Sequence, residues 1–207
     1  MKTPMTCQVC SDDRREEMYN TDSSKMHIIA LSGFMGAGKS TVGYELSRRL
    51  SCDFIDLDLF IEENEGMAIP EIFAKDGETG FRKRENRCLA KAISEYSGAD
   101  RLILSLGGGT LTVHESREIV KANTFCIYLE ASAQTLALRL EAEAAGRPML
   151  QQKRASVEPE ALYQRIDGLL SARRPVYEGC ADLTVCTDAL DISSTAEMII
   201  SSLGLRR

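Results

Sequence analysis

The segment GFMGAGKS at positions 33–40 fits the pattern GxxxxGK[ST]. Glycines at such spacing let backbone N–H groups wrap an anion without side-chain clash. A helix N-terminus placed directly after them adds favourable partial charge. Lys39 can reach β/γ-phosphates, and the Ser40 hydroxyl can ligate Mg²⁺. A functionless glycine-rich turn would not call for Lys39 and Ser40 together.

Further charged residues sit where a ligand could meet them. Asp56 and Asp58 sit at the end of the run 52–57. At the carboxyl end of a strand they could serve Mg²⁺-bound water and a substrate hydroxyl. As an alternative, they cap a helix over 58–64. Arg82, in GETGFRKRE at 77–85, lies near a helix start, where a cation opposes the macrodipole. That points to an anionic partner, or to a solvated basic face shared with Lys83, Arg84 and Arg87. Three glycines at 107–109 allow close backbone approach to a ligand, or form a flexible turn. GRPML at 146–150 precedes a polar stretch, as a mobile lid bearing Arg147 would. RRPVY at 173–177 ends a helix, where arginines also suit the dipole.

The elements needed to position these groups are legible as alternating apolar runs and helical periodicities. Strands are expected at 27–32, 52–57, 101–106, 124–130 and 182–187. The runs are continuous rather than alternating, as in a parallel sheet buried on both faces. Helices are expected at 39–50, 58–64, 69–75, 80–97, 112–121, 132–144, 157–174 and 192–203. The order implies an α/β fold with right-handed crossovers. The stretch 56–97 is too long for a simple crossover and is expected to form a small lobe. Residues 1–25 are polar without periodicity and are read as a disordered extension to a domain at 26–207.

Composition narrows the function classes. The chain has 207 residues, 25 Lys+Arg against 31 Asp+Glu, and a formal charge of −6. That balance disfavours a global nucleic-acid surface, though a local basic cleft is compatible with it. No apolar run reaches the length of a membrane span. The N-terminus lacks an apolar signal core and carries Asp12, Asp13, Glu16 and Glu17, against a transit peptide. Seven cysteines, an odd number, read as reduced thiols of a cytoplasmic protein. Cys7 and Cys10 form a CxxC pair, but a zinc site needs two further ligands.

Six segments taken in order resemble shikimate kinase: GFMGAGKSTVG (33–43), FIDLDLFIE (54–62), IPEIFAKDGETGFRKRE (69–85), LSLGGGT (104–110), GRPML (146–150) and RRPVY (173–177). The resemblance spans about residues 27–187. It implies a three-layer α/β/α P-loop kinase of the nucleoside-monophosphate-kinase type. Its parts would be a five-stranded parallel sheet, a substrate lobe at about 58–97 and a mobile lid at about 144–156. It implies ATP-dependent phosphorylation of the shikimate 3-hydroxyl, in chorismate and aromatic amino acid biosynthesis, with Mg²⁺. By resemblance, ATP falls to Gly36, Ala37, Gly38, Lys39, Ser40 and Thr41, with Arg147 at its phosphates and Arg139 beside adenine. Asp58 would contact the shikimate hydroxyls as candidate base, and Asp56 would meet Mg²⁺ through water. Arg82 and Arg173 would hold the carboxylate, Glu85 would orient the substrate arginine, and Gly108 would offer a backbone contact. Expected partners are the small molecules shikimate and ATP, with no nucleic acid and no membrane, on a monomer. Two departures stand out. TDAL (187–190) lacks the basic residue some members carry after the last strand, and the spacing from Arg139 to Arg147 differs slightly. Rival readings are a gluconate or nucleotide kinase of the same fold, and a binding module that has lost catalysis.

Overall fold

The computed structural model describes residues 26–96, 101–145 and 159–205. Five strands pair in parallel: β1 (Ile28–Ser32), β2 (Asp53–Asp56), β3 (Leu102–Ser105), β4 (Phe125–Glu130) and β5 (Leu183–Cys186), in the spatial order β2-β3-β1-β4-β5. Every residue of β1 and β3 is buried, and all of β4 except Glu130. Successive side chains point to opposite faces, so both faces of the sheet centre must be covered by helices. The edge strands β2 and β5 keep exposed positions, and this is where the expectation of double-sided burial does not extend.

The described residues also form seven α-helices: α1 (Lys39–Leu50), α2 (Leu57–Glu65), α3 (Ile69–Glu95), α4 (His114–Asn123), α5 (Ala133–Ala145), α6 (Pro159–Glu178) and α7 (Ile192–Ser202). Helix α1 turns Val42, Gly43 and Leu46 inward. Gly43 is required by packing, because a Cβ there would stand 2.6 Å from the Phe54 ring. Arg49, in the last turn of α1, pairs with Glu45 and with Glu197 of α7, which ties these two helices into one layer.

Three elements differ from the periodicity by two residues or more. The helix expected at 112–121 runs instead from His114 to Asn123, behind a 3₁₀ turn at Thr110–Thr112. The helices expected at 69–75 and 80–97 meet in one element, α3, with a single non-helical residue at Gly77 (φ 66°, ψ −172°). Glycine alone adopts that conformation without strain. Helix α6 runs through Pro175 to Glu178 rather than ending at 174. Its last turn is held from outside, since Tyr177 is buried and stacks on Tyr128 of β4 at 5.2 Å. The N-terminal extension, with Cys7 and Cys10, lies outside the described residues, as does the expected lid of 144–156 from 146 onward, with Arg147; positions 144 and 145 belong to α5.

Candidate active site

The loop between β1 and α1 takes the shape its glycines permit. Gly36 and Gly38 have φ of 79° and 89°, in the left-handed region that other residues rarely enter. The Phe34 carbonyl accepts both the Ala37 N–H at 3.2 Å and the Lys39 ammonium at 3.0 Å. Lys39 is buried, and loss of hydration lowers its pKa to about 8 against the attraction of Asp58 and Asp56. A buried ammonium whose hydrogen bond goes to one carbonyl is poised to exchange that acceptor for phosphate oxygen.

The neighbouring hydroxyl is bound to the second strand. Ser40 Oγ donates to Asp56 Oδ2 at 2.5 Å and lies 3.4 Å from Ser105 Oγ. The other oxygen of Asp56 accepts the N–H groups of Asp58 at 3.0 Å and Leu59 at 3.4 Å. The capping reading of Asp56 is therefore realised, and its other oxygen faces Ser40. Among the described residues no group of three or more His, Cys, Asp or Glu side chains is placed to hold a metal ion. A hydroxyl and one carboxylate still fit Mg²⁺, a hard cation that retains several waters and uses few protein oxygens.

The loop after β3 gathers the remaining charged groups, a different set at each glycine. A Cβ at Gly107 would stand 2.9 Å from Glu85 Oε1 and 3.0 Å from Asp58 Oδ1. The Gly108 carbonyl accepts the Tyr177 hydroxyl at 2.5 Å and Arg173 Nη1 at 3.4 Å. A Cβ at Gly109 would collide with the Arg82 guanidinium. The sequence allowed either a ligand-approach loop or a flexible turn here. What the fold adds is that the space a Cβ would need is already taken, by side chains at Gly107 and Gly109 and by the Gly33–Met35 backbone at Gly108.

Electrostatics within this cluster are mixed. Glu85 is fully buried and pairs with Arg82 Nη1 at 2.6 Å. The unfavourable place of Arg82 in the helix is thus offset by a local carboxylate. Arg173 lies over the Phe34 ring at 5.7 Å, linking α6 to the phosphate loop. Asp58 keeps one side open to water, yet the protein packed around its other sides removes enough hydration to raise its pKa. The charges of Asp56 and Glu85 raise it further, while Lys39 and Arg82 oppose them.

Arg139, on α5, donates to the Thr187 carbonyl at 2.7 Å and to its hydroxyl at 3.2 Å. It is joined to the segment after β5, the same segment that lacks a basic residue. Tyr177, Thr110 and Thr187 escaped assignment from sequence. Tyr177 and Thr110 end the motifs RRPVY and LSLGGGT, and Thr187 opens TDAL, but their hydrogen bonds span 69, 25 and 48 positions.

The family model of shikimate kinase matches residues 35–204. The chain belongs to the shikimate kinase family. A shikimate kinase of Thermus thermophilus is 40% identical over 175 residues, covering 84% of this chain and 89% of the relative. Among solved structures, shikimate kinase from Acinetobacter baumannii in complex with shikimate superposes with a TM-score of 0.72 at 34% identity. That match covers 88% of this chain and 97% of the other. Shikimate kinase from Bacteroides thetaiotaomicron gives a TM-score of 0.75 at 31% identity, covering 86% and 98%. The five-stranded parallel sheet and the phosphate loop are those of this P-loop kinase family.

Proposed function

We propose that this protein transfers the γ-phosphoryl group of ATP to the 3-hydroxyl of shikimate, giving shikimate 3-phosphate and ADP. The observation that carries this reading is the loop 107–109. Asp58 and Glu85 flank its first glycine, Arg173 and Tyr177 its second, and Arg82 its third. An anionic polyol needs such a set. Guanidinium groups pair with its carboxylate, and a carboxylate beside its hydroxyl aligns the nucleophile. Asp58 orients the hydroxyl and accepts its proton as the oxygen–phosphorus bond forms and the bond to the ADP oxygen breaks. Its raised pKa makes the carboxylate a better proton acceptor than an ordinary aspartate. Lys39 and Arg147 neutralise the transferring group. Arg139 is assigned to the adenine side, and the Gly108 backbone to shikimate.

Ser40 and, through water, Asp56 would hold Mg²⁺, which when bound supplies charge neutralisation at the β- and γ-oxygens. We place the activity in the cytoplasm on a monomer. The five described cysteines are free thiols, and no helix among the described residues is long and apolar enough to cross a membrane. A coupled assay with ATP, Mg²⁺ and shikimate tests the reading. ADP release that depends on shikimate, with a phosphate monoester at O3 by NMR, is the expected result. Turnover of gluconate or a nucleotide with none of shikimate overturns it, and binding without turnover would favour a module that has lost catalysis.

A further inference from the structure

Thr110 opens the short 3₁₀ turn Thr110–Thr112 and is fully buried. Its hydroxyl donates to Glu85 Oε1 at 2.6 Å. The other carboxylate oxygen, Oε2, receives Arg82 Nη1 at 2.6 Å. Glu85 thus has one donor on each oxygen and no exposure to water. The terminal torsion of a glutamate is broad and poorly defined by its own rotamer preferences. A partner on one oxygen leaves the plane of the carboxylate free to turn, whereas partners on both fix it. Fixing that plane fixes the direction from which Arg82 is held. The other acidic partner of Arg82 is Glu78, which is exposed and 3.5 Å away, too weak a contact to set the guanidinium by itself.

We propose that Thr110 is a positioning residue for substrate recognition: it locks Glu85, and through Glu85 it sets Arg82 to receive the substrate carboxylate. This rests on the reading of Arg82 given under Proposed function. The geometry favours it over a purely structural role for the hydroxyl. The turn has its own backbone bonds, from Thr110 N–H to the Gly107 carbonyl at 3.1 Å and from Thr112 N–H to the Gly109 carbonyl at 3.0 Å.

The test is a double-mutant cycle on the full chain, reading KM for shikimate, KM for ATP and kcat. Thr110→Val should raise the shikimate KM about 10-fold, as loss of a hydrogen bond to a charged group does, with kcat and the ATP KM changed less than about 3-fold. Thr110→Ser keeps the hydroxyl and should restore the KM. In an Arg82→Ala background the valine should add less than about 2-fold, because the two residues act through one path. A destabilised but otherwise unaffected protein would lack both the split between KM and kcat and the non-additivity. Should the valine variant not fold, Thr110→Ala carries the same expectation without overpacking. If Arg82→Ala raises the shikimate KM and the Thr110 variants leave it unchanged, or raise it equally in both backgrounds, the positioning role is overturned alone. If Arg82→Ala leaves the KM unchanged, both this role and the assignment of Arg82 fall.

Discussion

Asp56 joins Ser40 of the phosphate loop to the first turn of α2, accepting the Ser40 hydroxyl on one oxygen and the N–H groups of Asp58 and Leu59 on the other. One side chain therefore caps a helix and, in the proposed function, faces Mg²⁺ through water, and two substitutions separate these tasks. Asp56→Asn keeps an oxygen for the cap but loses the charge. It should fold with near-normal stability and need more Mg²⁺ for half-maximal rate. Asp56→Ala loses the cap as well and should unfold more easily by about 0.5–2 kcal/mol. Thermal melts and Mg²⁺ titrations of the rate read the two effects. Equal Mg²⁺ dependence in wild type and Asp56→Asn would remove Asp56 from the metal side.

Asp58→Asn should nearly abolish turnover while ATP still binds, since loss of a general base costs roughly 10²–10⁴-fold. Its raised pKa also sets a pH expectation. The carboxylate must be ionised to accept a proton, so the acid limb of kcat should lie above the ordinary aspartate range and disappear from the residual rate of the variant. A folded Asp58→Asn protein with near wild-type turnover would show that the residue neither orients nor deprotonates the hydroxyl.

Lys39 gives a proton-linkage prediction. In the folded protein its pKa is lowered from 10.5 to about 8, with burial the dominant cause. Its folded value lies below its unfolded value, so its contribution to stability is least favourable below about pH 8. It improves as pH rises toward 10.5, where the unfolded chain alone holds the proton. Phosphate favours the ammonium and pulls the pKa back up. ATP binding should then take up a proton in an amount that grows from about pH 7 to about pH 9. Calorimetry in two buffers of different ionisation enthalpy measures it. Lys39→Met should abolish the uptake and cripple turnover, and an unchanged uptake in that variant would place the titrating group elsewhere.

The arginines should separate by which kinetic constant they move. Arg82→Ala and Arg173→Ala each lose a charge-assisted pair to the carboxylate, worth roughly 1.5–3 kcal/mol, and should weaken shikimate binding measured without nucleotide. Arg147→Ala should bind shikimate nearly normally and lower kcat, as expected of a group that meets phosphate only after closure. The opposite pattern would exchange the two roles.

Tyr177→Phe removes the hydroxyl that the Gly108 carbonyl accepts at 2.5 Å and keeps the ring stacked on Tyr128. Stability should fall by about 1 kcal/mol, and the shikimate KM should rise a few-fold as the glycine loop loosens. An unchanged KM would make the bond a packing feature of α6 alone.

The local features of this protein follow from the sequence by itself. GFMGAGKS must bend as it does because Gly36 and Gly38 accept positive φ, and the continuous apolar runs must be strands of a buried parallel sheet. Asp56, Asp58, Lys39 and Ser40 were legible as a set because their chemistry is close in sequence to the glycines that need it. Which strands are central was not legible. β2 and β5 carry polar residues within their runs, Asp53, Asp56 and Thr184, but only the order β2-β3-β1-β4-β5 puts these two strands at the edges and leaves them partly exposed. The partners of the glycine loop belong to the tertiary structure as well. Glu85 meets Thr110, and Tyr177 and Arg173 meet Gly108, across 25, 69 and 65 positions. No periodicity encodes such pairs. They exist because parallel strands deliver all their carboxyl ends to one edge of the sheet, where the loops that follow them bring residues remote in the chain into one small volume.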